Sequence, residues 1–397
     1  MTEKLYNDNV MLKSCKATVL ACEEKDGKFL VKLDKTVIFP EGGGQLSDRG
    51  KLGAANVLHA FEKEGCVWHE CDMAVEVGAE VEVTLDWKVR LDRMQQHCGE
   101  HILSFVCWKL FDSNNIGFHM NEDTVTVDLD KALTEEELLQ VEQATNAIIW
   151  DNRPINVLNL ESEEAAKLPM RKFNSNLKGI LRIVAVEGAD VCTCCGTHPP
   201  FTGMVGCVKI IRAERRKQGQ RLELLCGGRA MGDYAKKNRI LHNIAADLSS
   251  KVEEVPERYT KMKEEIAGLQ EALKEKTAKL LDIEIQEVLA AAETRADGAK
   301  VMPLILDDAK LGKSLLPKVG ALENTVSVIL AVQPERISYF VTVGKNTTGD
   351  CRAYIKLLND TFGGRGGGKP DGAQGGADFC PDWQEKLDLV VAQLKAL

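Results

Sequence analysis

The spacing of apolar residues along the chain predicts strands and helices in alternation, with strands dominating near the amino terminus. Residues 29–33 and 81–85 alternate apolar and polar side chains, as strands with one buried face do. Apolar runs rich in β-branched residues predict further strands over residues 124–129, 180–184, 327–332 and 339–343. Together these patterns predict an α+β chain whose first 90 residues are rich in strands.

Two segments in the first half of the chain show helical signals. Apolar and histidine residues recur at helical spacing in one of them, and its periodic positions are Met94, His97, His101, Ile102 and Phe105. Thr134, followed three residues later by Glu137, fits a capping box. We therefore expect a second helix to begin there and to continue through residues 147–150.

Residues 246–290 have a different character, because a short heptad seam runs through them. The seam positions follow a 4-3-4-3-4 spacing and are Val255, Tyr259, Met262, Ile266, Leu269 and Leu273. Glu and Lys fill most intervening positions, and Pro256 fits the start of the helix. The seam predicts either a homodimer through the C-terminal half or an intramolecular helical hairpin.

Two glycine-rich segments stand out from these periodic elements. Residues 39–45 contain Gly42, Gly43 and Gly44 followed by Gln45, which predicts a loop with great backbone freedom. Residues 363–377 are denser still in glycine and include Arg365 and Lys369. This second run predicts an irregular segment rather than a regular element.

Composition places the chain among soluble globular proteins. It has 397 residues, 44% hydrophobic and 28% charged, which suggests two to four domains. No apolar run is long enough for a membrane span and the first residues lack a secretory core, so we expect a cytoplasmic protein without a membrane partner. The 13 cysteines are irregularly spaced, which favours reduced thiols and metal ligands over a disulfide framework.

The net charge of −9 excludes a globally basic surface for nucleic acid, and we expect no DNA partner. Binding of RNA must then depend on local clusters of basic side chains. One such cluster is formed by Arg212, Arg215, Arg216, Lys217 and Arg221.

Four residues carry the spacing of a metal site. His97 and His101 lie four apart and face the same way on a helix, while Cys194 and His198 supply two further ligand types that suit zinc. Cys192 and Cys195 are rivals for the thiolate position. Four protein ligands are typical of a structural zinc, but a weak ligand would leave room for substrate. The H-E-x-x-H arrangement of zinc peptidases is absent.

The pattern His97-x3-His101 followed by Cys194-x3-His198 resembles the editing domain of alanyl-tRNA synthetase and its free-standing relatives, the AlaX-type trans-editing proteins. Residues 39–45 resemble the glycine-rich motif of the serine-selective members, and residues 363–376 are similar to the C-terminal domain of the synthetase. Three motifs in the family's order extend the resemblance over nearly the whole chain.

The resemblance implies a hydrolase that deacylates mischarged Ser-tRNA(Ala), and in some members Gly-tRNA(Ala), with one Zn²⁺ per chain. It implies His97, His101, Cys194 and His198 as the ligands. No ATP-binding aminoacylation domain fits before His97, so synthesis of Ala-tRNA is not expected. The alternative is a non-catalytic zinc-containing module that binds tRNA or a protein.

The resemblance also implies a domain order. We expect an N-terminal barrel-like domain over residues 1–90, an α/β zinc-containing editing domain over 91–245, a helical coiled-coil linker over 246–292 and a C-terminal α/β glycine-rich domain over 293–397. The expected substrate pocket consists of Gly42, Gly43, Gly44, Gln45 and Thr124. The expected contacts with tRNA(Ala) are Arg212, Arg215, Arg216, Lys217, Arg221, Arg365 and Lys369.

Overall fold

The structure, a computed structural model, describes residues 1–171 and 178–397. The chain divides into two compact units, Met1–Val252 and Glu253–Leu397. Both units combine strands with helices, which confirms the expected α+β class.

The N-terminal part of the first unit contains eight strands, and six of them pair to form a closed ring, a β-barrel. In chain order its elements are β1 (Glu3–Lys4), α1 (Leu5–Asp8), β2 (Ser14–Lys25), β3 (Lys28–Leu33), β4 (Lys35–Thr36), β5 (Gly50–Leu52), β6 (Ala55–Lys63), β7 (Cys66–Cys71) and β8 (Glu80–Leu85). The ring runs β2-β3-β7-β6-β5-β8, and β8 pairs with β2. Alternate residues such as Val31, Leu33 and Val83 fill its core, as the period-2 pattern predicts.

The helix α2 (Trp87–Phe111) follows the barrel directly and carries both predicted histidine ligands. Asp86 starts it, because its carboxylate accepts hydrogen bonds from the backbone nitrogens of Lys88 and Val89. It ends at Asp112, which adopts a left-handed conformation.

An antiparallel sheet packs against α2. After α2 the chain forms β9 (Asn115–Met120), β10 (Val125–Leu129), α3 (Glu135–Trp150), β11 (Ile155–Glu161), α4 (Ser162–Ala165), β12 (Ile180–Val186), β13 (Val191–Thr193), β14 (Val208–Arg215), β15 (Gln220–Cys226) and α5 (Gly227–Asp247). Short 3-10 turns cover Thr202–Val205 and Val252–Glu254. The larger sheet has the order β14-β15-β10-β9, and β11-β12-β13 form a smaller one. The predicted capping box of Thr134 and Glu137 is present at the start of α3.

The second unit is a five-stranded sheet with helices on both faces. Its elements are α6 (Val255–Ala291), β16 (Lys300–Leu306), α7 (Ala309–Val319), β17 (Thr325–Val332), β18 (Arg336–Val343), α8 (Cys351–Phe362), β19 (Arg365–Lys369), β20 (Gly372–Asp378) and α9 (Trp383–Ala396). The strand order is β16-β17-β18-β20-β19. On β17, Val328 packs with α8 and α9, while Ile329 packs with α7 and the end of α6. This double covering explains why β17 is a continuous apolar run.

The expectation that residues 363–377 are irregular was wrong, because they contain the hairpin of β19 and β20. β20 pairs along its whole length with the buried strand β18, and those backbone hydrogen bonds outweigh the low strand propensity of glycine. The glycines also make room: a Cβ at Gly364 or Gly375 would collide with the side chain of Tyr339. Because that partner lies outside the run itself, the local composition is misleading.

Among the helices within residues 1–171 and 178–397, none combines the length and the apolar character that crossing a bilayer requires.

Candidate metal centre

Four buried side chains converge between α2 and the loop that follows β13. They are His97, His101, Cys194 and His198, and their ligand atoms all lie within 4.8 Å of one another. The Sγ atom of Cys194 is 3.4 Å from Nε2 of His97 and 3.3 Å from Nε2 of His198. The structure therefore brings together the four residues that the spacing singled out.

The structure also separates the three neighbouring cysteines. Cys195 is exposed and is not among the four side chains whose ligand atoms converge. The Sγ atom of Cys192 lies 3.0 Å from Nδ1 of His101, on the side of that ring where Asp190 also binds. Cys194 is thus the sulfur that faces the other two histidines.

Gln45 holds His97 in one tautomer. The backbone nitrogen of Thr197 donates to Oε1 of Gln45 at 3.0 Å, and Nε2 of Gln45 donates to Oγ1 of Thr197 at 2.8 Å. These bonds identify the amide oxygen, which only accepts, so Nδ1 of His97 at 2.8 Å must donate to it. The lone pair of Nε2 then faces Cys194, as in a histidine that binds a metal.

Asp190 does the same for His101. Its Oδ2 lies 3.0 Å from Nδ1 of His101, and the carboxylate is almost completely buried. Burial alone would raise the pKa of Asp190, but the hydrogen bond and charge of His101 and the charge of Arg171 lower it. An ionised carboxylate accepts the Nδ1 proton and leaves Nε2 of His101 for the cluster.

The electrostatics of the cluster favour metal-binding protonation states. Burial raises the pKa of the Cys194 thiol, but electrostatic interactions with the surrounding histidine side chains outweigh it and lower that pKa well below its usual value. Burial lowers the pKa of His198 to about 4. At neutral pH the set therefore includes a thiolate and a neutral imidazole, the forms that ligate metals.

The pKa of His101 is shifted in the opposite direction to that of His198. Burial lowers its pKa, but Cys192, Cys194 and Asp190 together raise it well above the usual value. The surroundings therefore retain a cation beside the thiolate, and a metal ion can take over that role. This donor chemistry fits a metal, and the buried cluster can hold one.

The glycine loop closes over one side of the cluster. The backbone amides and carbonyls of Gly42 and Gln45 bond each other at 3.0 Å, and Gly43 and Gly44 have φ of 61° and 80°, a region that favours glycine. A Cβ at Gly44 would lie 2.7 Å from Cδ1 of Phe118, whose ring stacks on His97 at a centroid distance of 5.4 Å. The loop can therefore pack against the Phe118 ring beside His97 because residue 44 is glycine.

A buried ion pair fastens this loop to the helix of the histidines. Oδ2 of Asp48 accepts from the backbone nitrogen of Phe39 at 2.7 Å and from Nε of Arg90 at 2.9 Å. Asp48 and Arg90 are both fully buried. Arg90 lies about two turns before His97 on α2, so one helix both carries a predicted ligand and anchors the loop.

The other predicted site residues lie on β14, β15 and β19 or in turns next to strands. Thr124 is in the turn before β10 and is partly exposed. Asp128 holds Arg221 through two hydrogen bonds of 2.7 Å. The remaining basic residues are exposed on β14, on the turn after it or on β19, and they are Arg212, Arg215, Arg216, Lys217, Arg365 and Lys369.

Sequence reasoning missed Asp190, Phe118 and Arg182. Nη1 of Arg182 donates to the carbonyl oxygens of Cys194 at 2.7 Å and of Gly196 at 3.0 Å and so holds the ligand loop. These residues belong to no recognisable spacing. One signal was available in the sequence: Asp190 and Cys194 directly flank the short strand β13, four residues apart.

Comparison with known families points to tRNA synthetase-related proteins. The family model described as "Threonyl and Alanyl tRNA synthetase second additional domain" matches residues 181–223, a range that includes Cys194 and His198. A solved structure of the C-Ala domain from Aquifex aeolicus alanyl-tRNA synthetase covers 26% of this chain and 96% of its own, at 17% identity and a TM-score of 0.24.

Three curated relatives are informative. The alanyl-tRNA editing protein AlaX-L of Pyrococcus horikoshii is 27% identical over 100% of this chain and 99% of its own length. The alanine–tRNA ligase of Pyrococcus abyssi is 29% identical, and the match covers 99% of this chain but 44% of the ligase. The alanyl-tRNA editing protein Aarsd1 of Bos taurus is 31% identical over 63% of this chain and 58% of its own length. The predicted resemblance is therefore confirmed: over its whole length this chain is similar to an AlaX-type alanyl-tRNA editing protein.

Proposed function

We propose that this protein is a free-standing deacylase that hydrolyses Ser-tRNA(Ala), with Gly-tRNA(Ala) as a second substrate, and so protects the fidelity of translation. One observation carries the proposal: a buried cluster of three histidines and one cysteine lies in a chain that is similar throughout to a protein named for alanyl-tRNA editing. The ester that links an amino acid to tRNA is activated, so a positioned water is enough to cleave it.

The metal we propose is one Zn²⁺ per chain, held by His97, His101, Cys194 and His198. Imidazole and thiolate ligands both suit zinc. When bound, zinc supplies a Lewis acid that stabilises charge on the ester oxygen. Gln45 and Asp190 orient two of the imidazoles through their Nδ1 atoms, which makes both positioning residues in this proposal.

We assign recognition of the amino acid to the glycine loop and its surroundings. A Cβ built on Gly43 would lie 3.7 Å from Cβ of Cys195. Backbone without a side chain therefore lies next to the loop that carries Cys194 and His198. Backbone amides at such a border, together with Thr124, can bond the hydroxyl of serine. A site that hydrogen-bonds a hydroxyl discriminates strongly against analogues that lack it.

The tRNA is held, in this proposal, by the exposed basic side chains of β14 and β19 rather than by overall charge, which is −9. Local clusters suffice for contacts with phosphates. We further propose the functional division into residues 1–90, 91–245, 246–292 and 293–397, with a homodimer formed through the C-terminal half.

A deacylation assay tests the proposal directly. Wild-type protein should release serine from Ser-tRNA(Ala), and His97→Ala should abolish both hydrolysis and bound zinc. His242→Ala is the matched control, because that exposed histidine lies on α5, where its ring bonds the carbonyl of Asn238, and the substitution should leave both unchanged. Binding of tRNA without hydrolysis by the wild type would favour the non-catalytic binding module instead.

A further inference from the structure

Arg93 lies on the same face of α2 as the histidines, one turn before His97. Four residues of helix separate their Cα atoms by about 6 Å along the axis. Arg93 is 3% exposed, and among the described residues its Nη1 has no hydrogen-bond partner. A guanidinium buried in this way, beside a candidate active site, has unused donor capacity.

A second nitrogen of the Arg93 guanidinium bonds a carboxylate that also pairs with another arginine. Nη2 of Arg93 lies 3.2 Å from Oε1 of Glu122, and Nη2 of Arg49 lies 2.9 Å from the same oxygen. Glu122 sits in the turn between β9 and β10 and is 59% exposed. Two guanidinium groups thus meet one solvent-exposed carboxylate.

Two nearby acidic side chains each pair with another arginine. Asp92 binds Arg229 at 2.6 Å, and Asp48 binds Arg90. The pair Arg49 and Arg93 therefore keeps an excess of positive charge at the end of the glycine loop and on the histidine face of α2. An anion with several oxygens would satisfy both groups better than the single oxygen of Glu122 does.

We infer that Arg49 and Arg93 form a binding site for a phosphodiester at the 3′ end of the RNA, and that Glu122 occupies this site until the phosphate displaces it. The inference rests on the proposed function, since the scissile ester is on the terminal ribose and its nearest phosphodiester lies next to it. A phosphate held one helical turn from His97 fixes the position of that ribose relative to the four ligands.

Binding of uncharged tRNA(Ala) to the full-length protein tests the site, by fluorescence anisotropy over a series of salt concentrations. Arg49→Gln and Arg93→Met should each weaken binding about tenfold, and Arg93→Met should also lower the salt slope by about 0.7, as expected for one single-stranded phosphate. Glu122→Gln should tighten binding. Arg352→Gln removes an exposed arginine paired with Asp350 and should change nothing.

A tRNA that lacks its terminal CCA provides the decisive comparison, because the losses should vanish with it. Equal losses with the shortened tRNA, or none with either, would overturn the inference. So would a rise in Tm of the wild type with inorganic phosphate that Arg93→Met abolishes while RNA binding stays unchanged, since free phosphate would then be the ligand.

These measurements need no ester. A protein that binds as predicted but does not hydrolyse overturns the proposed function alone. A protein that hydrolyses Ser-tRNA(Ala) while Arg49→Gln and Arg93→Met bind as the wild type does overturns the phosphate site alone.

Discussion

At the scale of single residues, adjacent cysteines provide a matched pair of variants. Cys194 lies in the buried cluster and Cys195 is exposed, so Cys194→Ser should lose bound metal whereas Cys195→Ser should keep about one metal ion per chain. A serine hydroxyl is a much poorer zinc ligand than a thiolate. Metal analysis of the two purified variants gives the answer, and retention by Cys194→Ser with loss in Cys195→Ser would reverse the assignment.

Gln45 gives a second prediction at this scale. Gln45→Ala removes the acceptor for Nδ1 of His97 and both bonds to Thr197. Loss of an outer partner of this kind typically weakens metal affinity by about 10–100-fold. Competition with a chromophoric chelator measures the change, and the exposed Gln143→Ala serves as the control. Wild-type affinity in Gln45→Ala would show that the ring of His97 needs no such support.

At the scale of elements, the stability of the barrel should depend on pH through one buried histidine. His69 on β7 is fully buried, hydrogen-bonded to Thr36 and to the carbonyl of Val31, and burial lowers its pKa to about 4. The folded chain therefore binds this proton more weakly than the unfolded chain does. Stability should be complete above about pH 6.5 and fall as the pH approaches 4, by about 3 kcal/mol at most.

Urea unfolding of wild type and His69→Gln at several pH values between 7 and 4 tests this. The difference between the two proteins isolates His69 from every other group that titrates. The variant should show a shallower loss of stability over this interval. If the free energy of unfolding fell equally with pH in both proteins, protonation of the buried His69 ring would not destabilise the barrel.

Elements were predictable where their own sequence specifies them. The capping box at Thr134 and the period-2 pattern of β3 and β8 depend on neighbouring residues, and the structure contains all three. The hairpin of β19 and β20 was not predictable, because it forms against β18 and around Tyr339. In the site, helical spacing indicated that His97 and His101 share a face, but no local rule places Gln45 or Asp190 behind their rings.

At the scale of the whole molecule, the seam of α6 bears on assembly. Apart from the half-buried Val255, its residues are exposed, with Leu269 at 63% and Leu273 at 68%. If this seam forms the proposed homodimer, Leu269→Glu combined with Leu273→Glu should yield monomers, because charges at seam positions oppose a coiled coil. Sedimentation velocity measures the result, with Gln270→Glu as a control of the neighbouring face. A monomeric wild type would exclude this dimer.

The placement of the four ligands in two distant stretches has a consequence for synthesis on the ribosome. The barrel and α2 leave the exit tunnel first, with His97 and His101 already side by side on one helix. Cys194 and His198 follow only after strands β9 to β13 and the helices α3 and α4 have been made. Full capture of an ion therefore comes late in translation, and a nascent chain interrupted before that point offers only half of the donors.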